Sequence, residues 1–165
     1  MFAKKFTAGL AAATLALATS AAAQSVEYWG EAGGWAVLVD PSLGYGCFLQ
    51  AEYDNGALVR IGFDRNVGAG YVTAFNYDWG DIEEGAAYEV GFALDGEYYT
   101  GEAVGIYVED VPGADIYFDN PDFLWDIAKK YTMTFYNEGG EVMAIDLGGT
   151  FVGLEAILEC QDEYG

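Results

Sequence analysis

The 165-residue chain contains no histidine, which leaves carboxylates as its candidate catalysts and aromatic rings as its candidate binding groups. That absence removes Ser-His-Asp and Cys-His nucleophilic sites, histidine-ligated zinc and histidine-based pH switches. Carboxylates are plentiful, at 27 Asp and Glu. Two adjacent pairs stand out, Glu83-Glu84 and Glu109-Asp110. A glycosidase needs two carboxyl groups facing each other across one bond, whereas neighbours along a strand point to opposite faces. No catalytic residue is assigned. The stretch "EDVPGADIYFDNPD" gathers Asp110, Asp115, Asp119 and Asp122. It lacks the D-x-D-x-D-G order of a calcium loop and reads as a solvated acidic loop, so no metal ligand is assigned. The Gly-rich tracts "GEAGGW" and "DLGGT" have neither the spacing nor the lysine of a phosphate-binding loop, and no cofactor is assigned.

Aromatic residues beside acids carry the stronger signal. Trp79 lies in "NYDWGDIEEG", a run of turn residues that offers a tryptophan no strand face to bury on. With Asp78, Asp81, Glu83 and Glu84 it combines an aromatic anchor and an acidic rim, a composition suited to a basic or hydroxylated ligand. Trp29 and Trp35, which bracket "GEAGG", join it as candidates for a binding surface. The alternative for all three is that they cover the ends of the core.

These residues must be held by strands. Apolar residues alternate with polar or small ones over much of the chain, the period of half-buried antiparallel strands. Cys47, Leu49, Ala51 and Tyr53 share one face; Asp54-Asn55-Gly56 turns the chain, and Val59, Ile61 and Phe63 return inward with Arg60 outward. Tyr88, Val90, Phe92 and Leu94 pair across Asp95-Gly96 with Val104, Ile106 and Val108, read here as inward-facing. Met133 and Phe135 pair across Glu138-Gly139-Gly140 with Met143, Ile145 and Leu147. Strands over 35–39 and 71–77 bring the total to roughly seven or eight. Asn120 and Pro121 open a short helix whose Phe123, Leu124, Ile127 and Tyr131 recur at helical spacing. A last helix, capped by Thr150, places Phe151, Gly153, Leu154, Ala156, Ile157, Leu158 and Cys160 on one arc and its acids opposite. The predicted fold is α+β and β-rich: an antiparallel, sandwich-like sheet with a short helix and a C-terminal helix packed on it. Cys47 faces inward and Cys160 edges the apolar arc, so the two sulfurs can meet in a disulfide; two free buried thiols are the alternative.

The first 23 residues read as a cleavable export signal. Lys4 and Lys5 precede an apolar run, and Ala21-Ala22-Ala23 suits cleavage before Gln24. The rest, 24–165, is the length of one β-rich domain. Cleavage leaves Arg60, Arg65, Lys129 and Lys130 against 27 acids, a net charge of −23. Such a charge repels nucleic acid and anionic lipid and draws in basic partners. An exported protein also meets an oxidising compartment, which permits a disulfide.

From Pro121 to Cys160 the order helix, strand, Gly-turn, strand, "LGGT", helix resembles the C-terminal part of the invasion-associated locus B family of small exported bacterial proteins. The matching pieces are "FLWDIAKKYTMTF" and "EVMAIDLGGTFVGLEAIL", with "GGT" standing where that family is expected to have a Gly-Phe step. The resemblance implies a periplasmic or surface-associated β-rich protein and transfers no site residue. The reading is an exported, periplasmic or secreted, non-enzymatic domain that contacts a protein or an envelope component, basic or glycan in character, without stable membrane insertion. Two rivals remain on the sequence: an acid-dependent hydrolase and a small outer-membrane β-barrel.

Overall fold

Two-residue turns with left-handed backbone set the register of a single sheet. A computed structural model describes residues 25–165; the export signal read from residues 1–23 lies outside them. The strands are β1 (Glu27–Ala32), β2 (Trp35–Asp40), β3 (Gly46–Glu52), β4 (Leu58–Asp64), β5 (Ala69–Phe75), β6 (Ala87–Leu94), β7 (Glu97–Val108), β8 (Val111–Phe118), β9 (Thr132–Asn137) and β10 (Gly140–Asp146). They form one antiparallel ten-stranded sheet in the order β1-β2-β3-β4-β5-β8-β7-β6-β9-β10. Asp95 and Gly96, at φ 49° and 86°, make the tight β6–β7 turn that the sequence predicts. The meander β6-β7-β8 is inserted backwards beside β5. Two Greek-key connections result: residues 76–86 cross the ends of β8 and β7, and residues 119–131 cross back to β9.

The sheet has ten strands, more than the seven or eight read from periodicity, because β1 and β8 show no clean alternation. In β1 every side chain is exposed or half-exposed, so no apolar face marks it. In β8 the "VPGAD" opening reads as a turn. Yet β5 and β7 supply ladders on both sides of it, and Pro112, next to the first residue of the strand, needs no N–H there. Glu109 and Asp110 are not strand neighbours but the two turn residues between β7 and β8, at φ 50° and 66°. The inward face of β7 also differs from the one predicted. Ala103 and Gly105 face the core, while Val104 and Val108 lie on the other face, 36% and 37% exposed. Bulk alone misleads here, because this face has to leave room.

The curl of the sheet brings residues from both halves into one core, including Val37, Leu49, Ile61, Phe92, Met133 and Ile145. Two hydrogen bonds hold the far ends together: Tyr53 Oη donates to the Asp146 carbonyl (2.8 Å), and Trp35 Nε1 to that of Gly148 (3.2 Å). Helix α1 (Phe123–Ala128) starts at Asp122, with Asn120 Oδ1 accepting the Asp122 N–H, so the sequence places its start two residues early. It buries Leu124 and Ile127, but Tyr131 lies beyond it and is 79% exposed. Helix α2 (Thr150–Glu163) is capped by Gly149; the Thr150 hydroxyl instead donates to the Leu147 carbonyl at 2.7 Å. Its buried face is Thr150, Gly153, Leu154, Ile157 and Cys160, narrower than the predicted arc, since Phe151 and Leu158 remain exposed. A Cβ on Gly153 would sit 2.6 Å from Leu49 Cδ1, so this glycine sets how closely α2 lies on β3.

Cys47 and Cys160 form the disulfide, joining β3 to the last turn of α2 across 113 residues of sequence. Closing so long a loop stabilises by roughly 4 to 5 kcal/mol in the chain-entropy account, although measured gains are often smaller. Cys160→Ser is therefore expected to lower the melting temperature by several degrees or more. Thermal unfolding by circular dichroism checks this; an unchanged midpoint would show that α2 packing alone holds the end of the chain.

Candidate functional site

The connection from β5 to β6 builds a cavity. It folds on its own hydrogen bonds: Asp78 N–H donates to Asn76 Oδ1 (2.9 Å), Trp79 N–H to the Asn76 carbonyl (3.1 Å) and Ile82 N–H to the Trp79 carbonyl (3.1 Å). Two tyrosines pin its second half, with Tyr107 Oη donating to the Ile82 carbonyl and Tyr88 Oη accepting from Glu83 N–H, both at 2.8 Å. Gly105 is the contact that lets the loop settle: a Cβ there would collide with the Glu83 carbonyl oxygen. A neighbouring backbone, not a ligand, accounts for that glycine.

Under the loop lies a cavity of about 790 Å³. Its floor is small and apolar, made by Ala74 of β5, Ala114 and Ile116 of β8 and Ala103 of β7. The four small or branched side chains cannot fill the space beneath a loop that spans two strands, a distance of about 14 Å at ordinary strand spacing. Aromatic rings stand around it: Trp79 from the loop, Tyr88 from β6, and Phe135 and Tyr136 from β9. Four carboxylates, Asp78, Asp81, Glu89 and Glu138, complete the rim, all of them exposed, and no Lys or Arg of the described residues joins the lining. The arrangement favours a ligand with an apolar part that enters and a cationic or hydroxylated part that stays at the mouth.

The residues singled out from sequence fall into three groups. Trp79, Asp78 and Asp81 line the cavity together, with Trp79 half-buried against the core. Glu83 and Glu84 are exposed on the loop but outside the lining. Trp29 and Trp35 are elsewhere: Trp35 is 2% exposed and belongs to the core, and Trp29 Nε1 donates to Glu163 Oε2 at 2.8 Å, fastening β1 to the end of α2. Neither ring lines the cavity. Tyr88, Glu89, Tyr136 and Glu138 were missed, because strand register and the β9–β10 turn bring them to the rim from distant parts of the chain. No protein family matches the chain, and no curated protein or solved structure does.

The acids of "EDVPGADIYFDNPD" do not converge. Asp110 sits in the β7–β8 turn, Asp119 and Asp122 follow β8, and Asp115 lies within β8 on the face opposite Ala114 and Ile116, away from the cavity. There Thr73 Oγ1 donates to Asp115 Oδ1 (2.6 Å), and Tyr117 Oη donates to Asp64 Oδ2 (3.1 Å). Arg60 lies on the same face, its guanidinium 4.9 Å from the Phe48 ring centre and 5.3 Å from that of Phe75, and its Nε donates to Gln50 Oε1. Arg60 thus points away from the main core, as read from sequence, but it is half-buried under its own cluster.

Burial, reinforced by the Asp64 charge, pushes the Asp115 carboxyl up to about 6 from an ordinary 3.8, against the downward pull of the Thr73 bond and Arg60. The folded protein thus holds this proton more tightly than the unfolded chain. Its contribution favours folding below about pH 4 and is lost as pH rises through about 6. Above that, a buried charge costs roughly 2 to 3 kcal/mol. Asp115→Asn keeps an acceptor for Thr73 without the charge. It is expected to be more stable than the parent at pH 7.5 and no more stable at pH 4. Melting temperatures of both proteins across that range test it, and parallel curves would refute it.

Proposed function

We propose that this protein is an exported, non-enzymatic binding domain and that the cavity under the 76–86 loop is where it takes its ligand, a basic or hydroxylated group of a protein or envelope component. One observation carries the reading: a large cavity with an apolar floor, walled by Trp79, Tyr88, Phe135 and Tyr136, rimmed by acids and lined by no basic side chain. The disulfide supports the exported location, since such bonds persist in oxidising compartments. The resemblance of 121–160 to the invasion-associated locus B family points the same way. Against a membrane barrel, β1 and β10 end the sheet unpaired among the described residues, whereas a spanning barrel has no edges. Against the hydrolase, the carboxyl with a raised pKa, Asp115, faces away from the cavity.

Trp79→Ala tests the site. It is expected to weaken binding of a partner recovered from envelope extract by about 1 to 2 kcal/mol or more. Little loss of fold should accompany it, since the ring is only half-buried. Unfolding and affinity are measured on the same variant. A protein destabilised by roughly 3 to 5 kcal/mol whose folded fraction still binds normally would make Trp79 a plug of the core and end the assignment.

A further inference from the structure

The cavity opens beside the last strand of the sheet. Glu138 and Gly139 of the β9–β10 turn and Val142 of β10 belong to its lining. The β9–β10 register shifts between Glu141 and Met143, a bulge whose extra residue is Val142. The extra residue of a bulge has no partner in the ladder, and Val142 is 37% exposed. On an edge strand about half of the N–H and C=O groups point away from the sheet. At its far end β10 is tied down by the bond from Tyr53 to the Asp146 carbonyl. Outside the β9 ladder, no hydrogen bond engages the backbone of 141–145 among the described residues. The opposite edge differs, since α2 packs on β1 and Trp29 is bonded to it. Edge strands are commonly guarded by Lys or Pro. The sequence of β10, "GEVMAID", has neither, and its two charges, Glu141 and Asp146, have the same sign as the cavity rim.

We infer that an extended, basic polypeptide segment adds to β10 as an eleventh strand and lowers one apolar side chain into the cavity. The inference rests on the cavity being the binding site. Along a strand, side chains two apart point the same way and stand about 6.7 Å from each other. The residues on either side of an inserted apolar group therefore come over the mouth, where Asp78, Asp81, Glu89 and Glu138 favour Lys or Arg. Backbone bonds to β10 supply affinity irrespective of sequence, and the cavity supplies the choice of side chain. Charge decides the occupant. A second copy of this chain, at −23 after cleavage of the signal, would bring its acids against these.

The probe is the capped nonapeptide Lys-Thr-Lys-Thr-Leu-Thr-Lys-Thr-Lys, which puts leucine and four lysines on one face, titrated into the full mature protein by calorimetry. It is expected to bind, and its Glu-for-Lys counterpart is expected not to. Two further peptides carry backbone N-methyl groups on one or the other alternate set of residues. One set faces β10 and should weaken binding at least tenfold; the other faces solvent and should bind like the parent. Amide exchange at 141–145 should slow only with peptides that bind. If both methylated peptides bind as well as the parent, strand addition is overturned while the cavity reading stands. If the parent peptide does not bind, strand addition is again overturned, and the loss of an envelope partner on Trp79→Ala decides the cavity separately.

Discussion

Between β5 and β6 the chain cannot simply turn back, because β8 and β7 occupy the positions beside β5. The connection has to cross two strand ends, and it can do so closely only where those strands present little bulk. β7 and β8 meet that requirement with Ala103, Gly105 and Ala114 on the inner face. Gly105 takes the loop backbone directly, which fixes Glu83 and, through the Tyr107 and Tyr88 bonds, the whole second half of the crossing. Ala103 and Ala114 form part of the cavity floor, and Ala103 is fully buried there. The cavity is thus a consequence of topology combined with small side chains, and Trp79 stands in it because the loop that must cross is the loop that carries it.

The two faces of the central strands solve different problems. The inner face is apolar; α2 lies over β1, β2 and β3 beside the disulfide, α1 touches β5, and the loop crosses β7 and β8. The outer face of β4, β5 and β8 has no helix above it, yet Tyr71 and Thr73 are each 3% exposed. Tyr71 packs against the Tyr117 ring, Thr73 is bonded to Asp115, and Arg60 covers the rest of the cluster. Its guanidinium spreads over Phe48 and Phe75, so one long cationic side chain covers two rings that would otherwise meet water. In a chain with so few basic residues, one is spent inside this cluster, where it also offsets the charge of Asp115. Among the described residues the others are Arg65, Lys129 and Lys130, and none reaches the cavity lining. The acidic character of the mouth therefore comes from where the basic side chains of the described residues are placed as much as from the number of acids.

Much of the architecture was legible in the sequence, for identifiable reasons. Eight strands announce themselves by alternation, and the meeting of Cys47 with Cys160 follows from one strand face and one helical arc. β1 was not legible because none of its side chains is fully buried, and β8 because Pro112, Gly113 and Asp115 look like a turn to any local reading. The inner face of β7 was read one residue out of phase. Periodicity assigns the larger apolar residues inward, whereas here the inward positions had to stay small for the loop. The site was legible to the same extent. Trp79, Asp78 and Asp81 lie together in sequence and in space; Tyr88, Glu89, Tyr136 and Glu138 arrive by register and by a turn, which no local pattern records.

The distribution of stabilising contacts also separates the two ends of the molecule. Around α2 the ties are covalent or deeply packed: the disulfide, Gly153 against Leu49, and buried Leu154 and Ile157. Around the cavity they are hydrogen bonds of exposed groups in a loop whose acids face solvent. Local opening is drawn from the parts of a structure with few buried contacts, so the 76–86 loop can adjust while the α2 end stays fixed. That asymmetry fits the ligand site we propose. In that proposed site, a ligand entering between Trp79 and the β9–β10 turn would displace a half-buried ring and an unpaired bulge and leave the fully buried core in place.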